Sequence, residues 1–170
     1  TTTAAVGAVL FPRLSKVYAE NEQNEFDNLV NKGIKVMLML AVPAAVGIVV
    51  LREDIVFLLF GKSFVKAIPI LNILALMIPI VVCNTLIGGQ VLVTTGQEKK
   101  YMISVVVASI VNVILNACFI PIYGATSAAV ASFLSETIVL LFYLYFSRKV
   151  IKLKIGIHYI LSMCMPLMIY

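Results

Sequence analysis

The chain has 170 residues, 62% of them hydrophobic and 12% charged, with 13 Lys and Arg against 8 Asp and Glu for a net charge of +5. An ordinary soluble domain carries about 25% charged residues, and a compact soluble monomer of this mass would expose about 8,000 Å², which so few charges cover too thinly to keep it dispersed. The composition argues against a soluble enzyme, a disordered tail and a disulfide scaffold, and the mean hydropathy of +1.07 arises from long uncharged blocks of the kind that cross a bilayer.

Taken in order, residues 1–12 read as the last turns of a membrane span. No charge occurs from Val36 to Leu51, from Ala67 to Gln97, or from Met102 to Ser135. A helix of about 20 residues crosses a 30 Å hydrocarbon layer. The first block reaches that length once the preceding turns are added, because Lys32 and Lys35 can snorkel to the interface. The third block is too long for one crossing and is expected to divide at Pro121 to Gly124, where a proline without a donor precedes a glycine. Four complete spans are therefore predicted, at residues 30–51, 68–95, 101–120 and 125–146, and residues 155–170 read as the start of a further, truncated one. The predicted fold class is an all-α, polytopic transmembrane helix bundle, a single membrane domain over residues 1–170 with no soluble domain. Without an initial Met, a positive leader or a cleavage site, the chain reads as a fragment holding about six helices of a larger protein.

The cations set the orientation. Ten of them lie in the first, third and fifth connections (Arg13, Lys16, Lys32, Lys35; Lys99, Lys100; Arg148, Lys149, Lys152, Lys154). Three lie in the second (Arg52, Lys62, Lys66) and none in the fourth. By the positive-inside rule the odd connections face the cytoplasm, where anionic lipid headgroups are the nearby partner. The basic residues are dispersed between spans and form no patch for nucleic acid. Cys83, Cys118 and Cys164 have no paired spacing and read as small buried hydrophobes, and the single histidine, His158, reads as an interfacial or packing residue, so neither a metal nor a cofactor is implied.

Polar residues inside spans carry the functional signal, because lipid makes each costly unless it faces protein or water. The second complete span holds Asn72, Asn84, Thr85, Gln90, Thr94 and Thr95 with Pro69, Pro79 and the pair Gly88-Gly89. Such a helix is either a kinked member of a bundle or a hinge lining a pathway. Ser109, Asn112 and Asn116 fall on one stripe of the third span, facing neighbouring helices or a solute. In the fourth span Ser127, Ala131 and Ser135 recur every four residues, as do Ala128 and Ser132, so close helix packing is expected there. Glu136 lies halfway along that span, where an isolated carboxylate costs about 3 kcal/mol on insertion scales. It must be protonated, paired or wet, and Asn112 or Asn116 is the expected hydrogen-bond partner if the third and fourth spans pack antiparallel. No phosphate-binding loop, catalytic triad pattern or HExxH appears, and the external connections are short, so the chain does not read as an enzyme. Kinked spans, internal amides and one buried acid suit a carrier that rocks between two openings.

Four stretches carry a family resemblance: Leu10 to Glu20 (LFPRLSKVYAE), Leu58 to Leu71 (LLFGKSFVKAIPIL), Val91 to Tyr101 (VLVTTGQEKKY) and Asn112 to Glu136 (NVILNACFIPIYGATSAAVASFLSE). In this order and spacing the chain resembles the C-terminal half of the bacterial polysaccharide transporters, the oligosaccharide-lipid flippases of the MATE-like superfamily. The resemblance implies a two-lobed bundle with a cationic central cavity. It also implies alternating access and movement of an undecaprenyl-diphosphate-linked oligosaccharide across the bacterial cytoplasmic (inner) membrane for capsule or O-antigen (lipopolysaccharide) assembly, with membrane lipids and other polysaccharide-assembly membrane proteins as surroundings. This sequence departs from the pattern in lacking intramembrane Arg or Lys in its complete spans, which leaves the diphosphate to other helices or to cavity-edge residues such as Arg13. Asn72, Asn84, Gln90, Asn112, Asn116 and Glu136 are the pathway candidates, chosen from their polarity. A cation-coupled multidrug exporter keeps the same fold with another cargo. A polytopic polymerase or glycosyltransferase would need clustered Arg, His or Asp at one face, and none appears.

Overall fold

The computed structural model describes residues 2–152, and among these every regular element is helical. Helix α1 (Thr2–Ala19) runs two turns beyond the expected end of the first, truncated span. Helix α2 (Gln23–Val50) is followed by the short α3 (Arg52–Phe60) and a 3-10 turn at Lys62–Ala67. Helix α4 (Ile68–Leu86) passes directly into a π-helical segment, Ile87–Leu92. Helices α5 (Glu98–Tyr123) and α6 (Ala125–Ser147) complete the bundle. Four stretches are long and apolar enough to span a bilayer: Gln23–Val50, Lys62–Leu92, Glu98–Tyr123 and Ala125–Ser147. These are the four complete spans read from the sequence. The second truncated span, His158 and Cys164 lie outside the described residues.

The boundaries moved where local chemistry allowed it. Pro121 sits inside α5 instead of ending it. A proline in the last turn forfeits a single backbone bond, and the ladder closes behind it with Gly124 N–H donating to the Ile120 carbonyl at 2.8 Å. The reversal falls on Gly124 alone, at φ +66, a conformation that glycine adopts without steric cost. On α4, Pro69 lies in the first turn, where its missing N–H has no helical partner to lose. Pro79 is carried within the helix, and the irregular turn lies instead at Gly88 and Gly89, where the absence of side chains lets the coil widen to i→i+5 spacing.

Packing centres on α2 and α4. Buried Phe26, Val30, Ile34, Met37, Leu38, Ala41 and Ala45 form a helical stripe on α2 that meets Val82, Leu86 and Ile87 of α4 and its extension. Gly33 sets the approach, since a Cβ there would stand 3.0 Å from Leu86 Cδ1. On α6 the buried residues Ser127, Ala131, Ser135, Val139, Tyr143 and Ser147 recur every four positions. This i±4 ridge, with small residues in its first half, lies against α4 and α5 as the sequence predicted. Helix α5 buries only Ser104 and Ala108 and leaves Met102, Ile103, Val106, Ile110 and Ile114 exposed. That arrangement suits lipid and not water. Cys118 is likewise exposed, which corrects its reading as a buried residue, while Cys83 is half-buried.

Two long-range hydrogen bonds tie the start of α2 to the segment after α6. Gln23 Nε2 donates to the Val150 carbonyl at 2.6 Å and Asn31 Nδ2 to the Lys152 carbonyl at 3.0 Å. The first and fifth connections, both rich in cations, therefore meet at one end of the bundle. Asp27 is buried there, accepting from Gln23 Nε2 at 3.0 Å.

Candidate functional site

Helices α4, α5 and α6 enclose a cleft of about 620 Å³. Helix α4 contributes Asn84 and Thr85, with Gly89 from its π-helical extension; α5 contributes Tyr101, Ser109 and Asn112; α6 contributes Ser132, Ser135, Glu136 and Tyr143. Met77, Val81, Val105, Ala108, Val113 and Val139 supply apolar wall between them. The α5 set follows helical spacing: Tyr101, Val105, Ala108, Ser109 and Asn112 lie on one face, and the exposed apolar residues Val106 and Ile110 on the other.

Glu136 stands at the midpoint of α6 (Ala125–Ser147). Its carboxylate is held by α4, with Asn84 Nδ2 donating to Glu136 Oε2 at 2.7 Å and to the Glu136 backbone carbonyl at 3.0 Å. This corrects the expected partner. Asn112 and Asn116 instead bond to each other, Asn116 Nδ2 donating to Asn112 Oδ1 at 2.8 Å. An amide pair one turn apart can bond locally, whereas Asn84 sits on the helix packed beside α6 and reaches both the side chain and the backbone of residue 136.

Of the six candidates, Asn84, Asn112 and Glu136 line the cleft. Asn116 lies one turn beyond Asn112, bonded to it. Asn72 and Gln90 are not brought to the cleft. Gln90 is buried within the π-helical segment, and its Oε1 has no hydrogen-bond partner. The same is true of Asn72 Oδ1, Asn84 Oδ1, Thr94 Oγ1 and Asn116 Oδ1. Buried acceptors without donors are rare in folded proteins because each costs about 1–3 kcal/mol. Four of the five lie between residues 72 and 94, which marks α4 and its extension as the polar element of the bundle, and the fifth is Asn116 of α5. Arg13 is not at the cleft edge. It is exposed on α1 and pairs with Glu25 in the first turn of α2 at 3.6 Å.

Several contributors had no sequence signal. Tyr101 and Tyr143 stack at 5.6 Å and 15°, bridging the start of α5 and the end of α6. Gly88 is needed for this, since a Cβ at that position would overlap the Tyr143 ring. No Lys or Arg lines the cleft among the described residues. The polar surface is thus amide, hydroxyl and one carboxylate, a set that donates and accepts hydrogen bonds with neutral polyols and offers negative charge to a cation or proton. No group of three or more His, Cys, Asp or Glu suited to a metal occurs among the described residues.

Four membrane-length helices, three of which enclose a polar cleft, define a polytopic membrane protein. A family model described as lipid II flippase MurJ matches residues 3–169, and the chain belongs to that family. Several relatives carry names of the same kind. The chain is 28% identical over 150 residues to a probable low-salt glycan biosynthesis flippase, Agl15, of Haloferax volcanii, covering 88% of the chain and 32% of the relative. It is 25% identical over 146 residues to the capsular polysaccharide biosynthesis protein CapF of Staphylococcus aureus, covering 86% and 37%. A probable flippase of Haloferax volcanii, AglR, is 28% identical over 137 residues, covering 79% and 28%. The chain spans about a third of the length of these curated relatives.

Proposed function

We propose that this chain forms part of a flippase that carries a polyprenyl-diphosphate-linked oligosaccharide across the cytoplasmic membrane for surface polysaccharide assembly, and that residues 1–170 belong to its C-terminal lobe. The observation that carries the reading is the α4–α6 cleft. A conduit for sugar hydroxyls needs dense hydrogen-bonding groups at membrane depth with apolar wall between them, and Asn84, Ser109, Asn112, Ser132 and Glu136 supply them on three converging helices. Family membership and the relatives named for glycan and capsule biosynthesis support the cargo class.

In this reading the cleft faces the partner lobe and handles the glycan, while the diphosphate is met by cations elsewhere in the complete transporter. Asn84 and Glu136 form the sensing pair. With Glu136 ionised, Asn84 locks α4 to α6; protonation or cation capture weakens that lock and frees the helices to shift at the Gly88-Gly89 turn. The protein has no catalytic role in this account; it moves its substrate unchanged. A second reading, a cation-coupled exporter of the same architecture, is favoured by one observation, the absence of any cation from the lining that holds Glu136.

The test is a depletion strain complemented with the full-length protein. Loss of the protein should leave lipid-linked oligosaccharide facing the cytoplasm, and wild-type complementation should clear it. Normal surface polysaccharide without the protein contradicts the flippase reading. In reconstituted vesicles Glu136→Gln should slow flipping and flatten its pH dependence; full rate with an unchanged pH profile removes the coupling role while leaving the cargo assignment intact.

A further inference from the structure

The segment joining α2 to α4 has no partner for its apolar surface. Val56 is buried, at 1% exposure, whereas Leu58 stands at 86%, Leu59 at 67%, Phe60 at 57% and Phe64 at 54%. A break at Leu51 turns the chain out of α2. Gly61, at φ +79, then reverses it from α3 into the 3-10 turn. At nine residues α3 is about 14 Å long, too short to cross a bilayer. Its backbone is nonetheless bonded within the segment, Ile55 N–H to the Leu51 carbonyl at 2.8 Å and Gly61 N–H to Phe57 at 3.1 Å. That self-sufficiency is the condition for entering the interfacial region of a membrane.

We propose that this segment is an interfacial anchor. Leu58, Phe60 and Phe64 seat in the outer-leaflet boundary between headgroups and acyl chains, and Lys62 and Lys66 meet lipid phosphates. The occupant is phospholipid, for two reasons. First, the apolar surface is continuous with the membrane span before it, since Val50 and Leu51 are also exposed. Second, the charge is complementary. The three cations that run against the inside bias, Arg52, Lys62 and Lys66, all fall in this segment. Arg52 is occupied by the Val49 carbonyl at 2.8 Å and by Glu53 at 4.0 Å, whereas no Asp or Glu follows Asp54 until Glu98. Lysines in the 3-10 turn beside exposed Phe and Leu side chains suit a segment lying against anionic headgroups.

The proposal is tested on the full-length protein in liposomes of mixed phosphatidylglycerol and phosphatidylcholine, with a photoreactive benzoylphenylalanine at position 58, 60 or 64 and a control at buried position 56. Lipid adducts should form at the first three positions at least tenfold above the control. Cross-links to other parts of the polypeptide in place of lipid, or adduct yields equal to the control, overturn the anchor. In the unsubstituted protein a lipophilic diazirine should label residues 58–64 and a water-soluble one should not; the reverse pattern overturns it equally. Lys62→Gln with Lys66→Gln should lower the ratio of phosphatidylglycerol to phosphatidylcholine adducts by about fivefold per lysine, the equivalent of ~1 kcal/mol each. An unchanged ratio removes the phosphate contact.

Discussion

Gly88 and Gly89 are adjacent in the same π-helical segment, yet the structure assigns them opposite responses to a single methyl group. A Cβ built on Gly88 lies 2.5 Å from Tyr143 Cζ and 2.8 Å from Cδ2, where carbon atoms require about 3.5–4.0 Å. Tyr143 Cε2 is closer still, so the ring would have to retreat by more than ~1 Å. It has little room, being 2% exposed and stacked on Tyr101. Overpacking of this kind costs about 1–3 kcal/mol. A Cβ on Gly89 meets nothing within 4 Å. Both substitutions share the gain of about 0.5–1 kcal/mol that alanine brings to a helical backbone, so the gain cancels between them. Gly88→Ala should therefore be less stable than Gly89→Ala by about 1–3 kcal/mol, with Gly89→Ala at or above wild type. Thermal unfolding of the purified full-length variants in one detergent measures the gap, and a Tyr143→Ala background should abolish the Gly88 penalty. Equal melting of the two glycine variants would refute the close approach of α4 and α6 on which the cleft depends.

The Asn84–Glu136 bond is the second test. Asn84→Ala leaves a carboxylate at mid-membrane without its donor and should destabilise the protein by about 1.5–3 kcal/mol. Glu136→Gln should cost less, because the glutamine oxygen still accepts from Asn84 Nδ2; a reversed order contradicts the 2.7 Å pairing. At the end of the bundle where α2 begins, Gln23→Ala and Asn31→Ala should each remove about 1 kcal/mol of attachment, read as faster amide hydrogen exchange over residues 148–152. Unaltered exchange would mean that the two long-range bonds to Val150 and Lys152 do not hold that segment.

The spans were legible because lipid imposes a length and a polarity on each helix, and both are written locally. The small-residue ridge of α6 was legible for the same reason, as a fixed spacing along one helix. Pro121 misled because a proline in a last turn costs little, and the glycine three residues later was the effective stop. The partner of Glu136 was not legible. Asn112 and Asn116 competed for it on equal terms in sequence, and only the packing of α4 beside α6 brings residue 84 within reach across a separation of 52 positions. Asn72 and Gln90 show the limit of choosing by polarity, since an amide in a span can be buried on the side away from a cleft. Tyr101 and Tyr143 left no mark in sequence, and Gly88, legible as half of a kink or hinge, gave no sign of the notch it opens for the Tyr143 ring. Buried Asp27 was missed because it lies near the end of α2, where an exposed acid would be ordinary.

The central claim is that the polar residues of α4, α5 and α6 share one aqueous cleft within the membrane, and single-cysteine labelling tests it most directly. In the full-length protein, with Cys83, Cys118 and Cys164 replaced by Ala, cysteines are placed singly at Ser109, Asn112, Ser132 and Glu136. A second set occupies Ile103, Val106 and Ile110 on the opposite face of α5. Open membranes are then treated with a membrane-impermeant maleimide. The first set should react readily and the second should stay unmodified; equal reaction of the two sets, or protection of both, contradicts the cleft and the transport reading built on it.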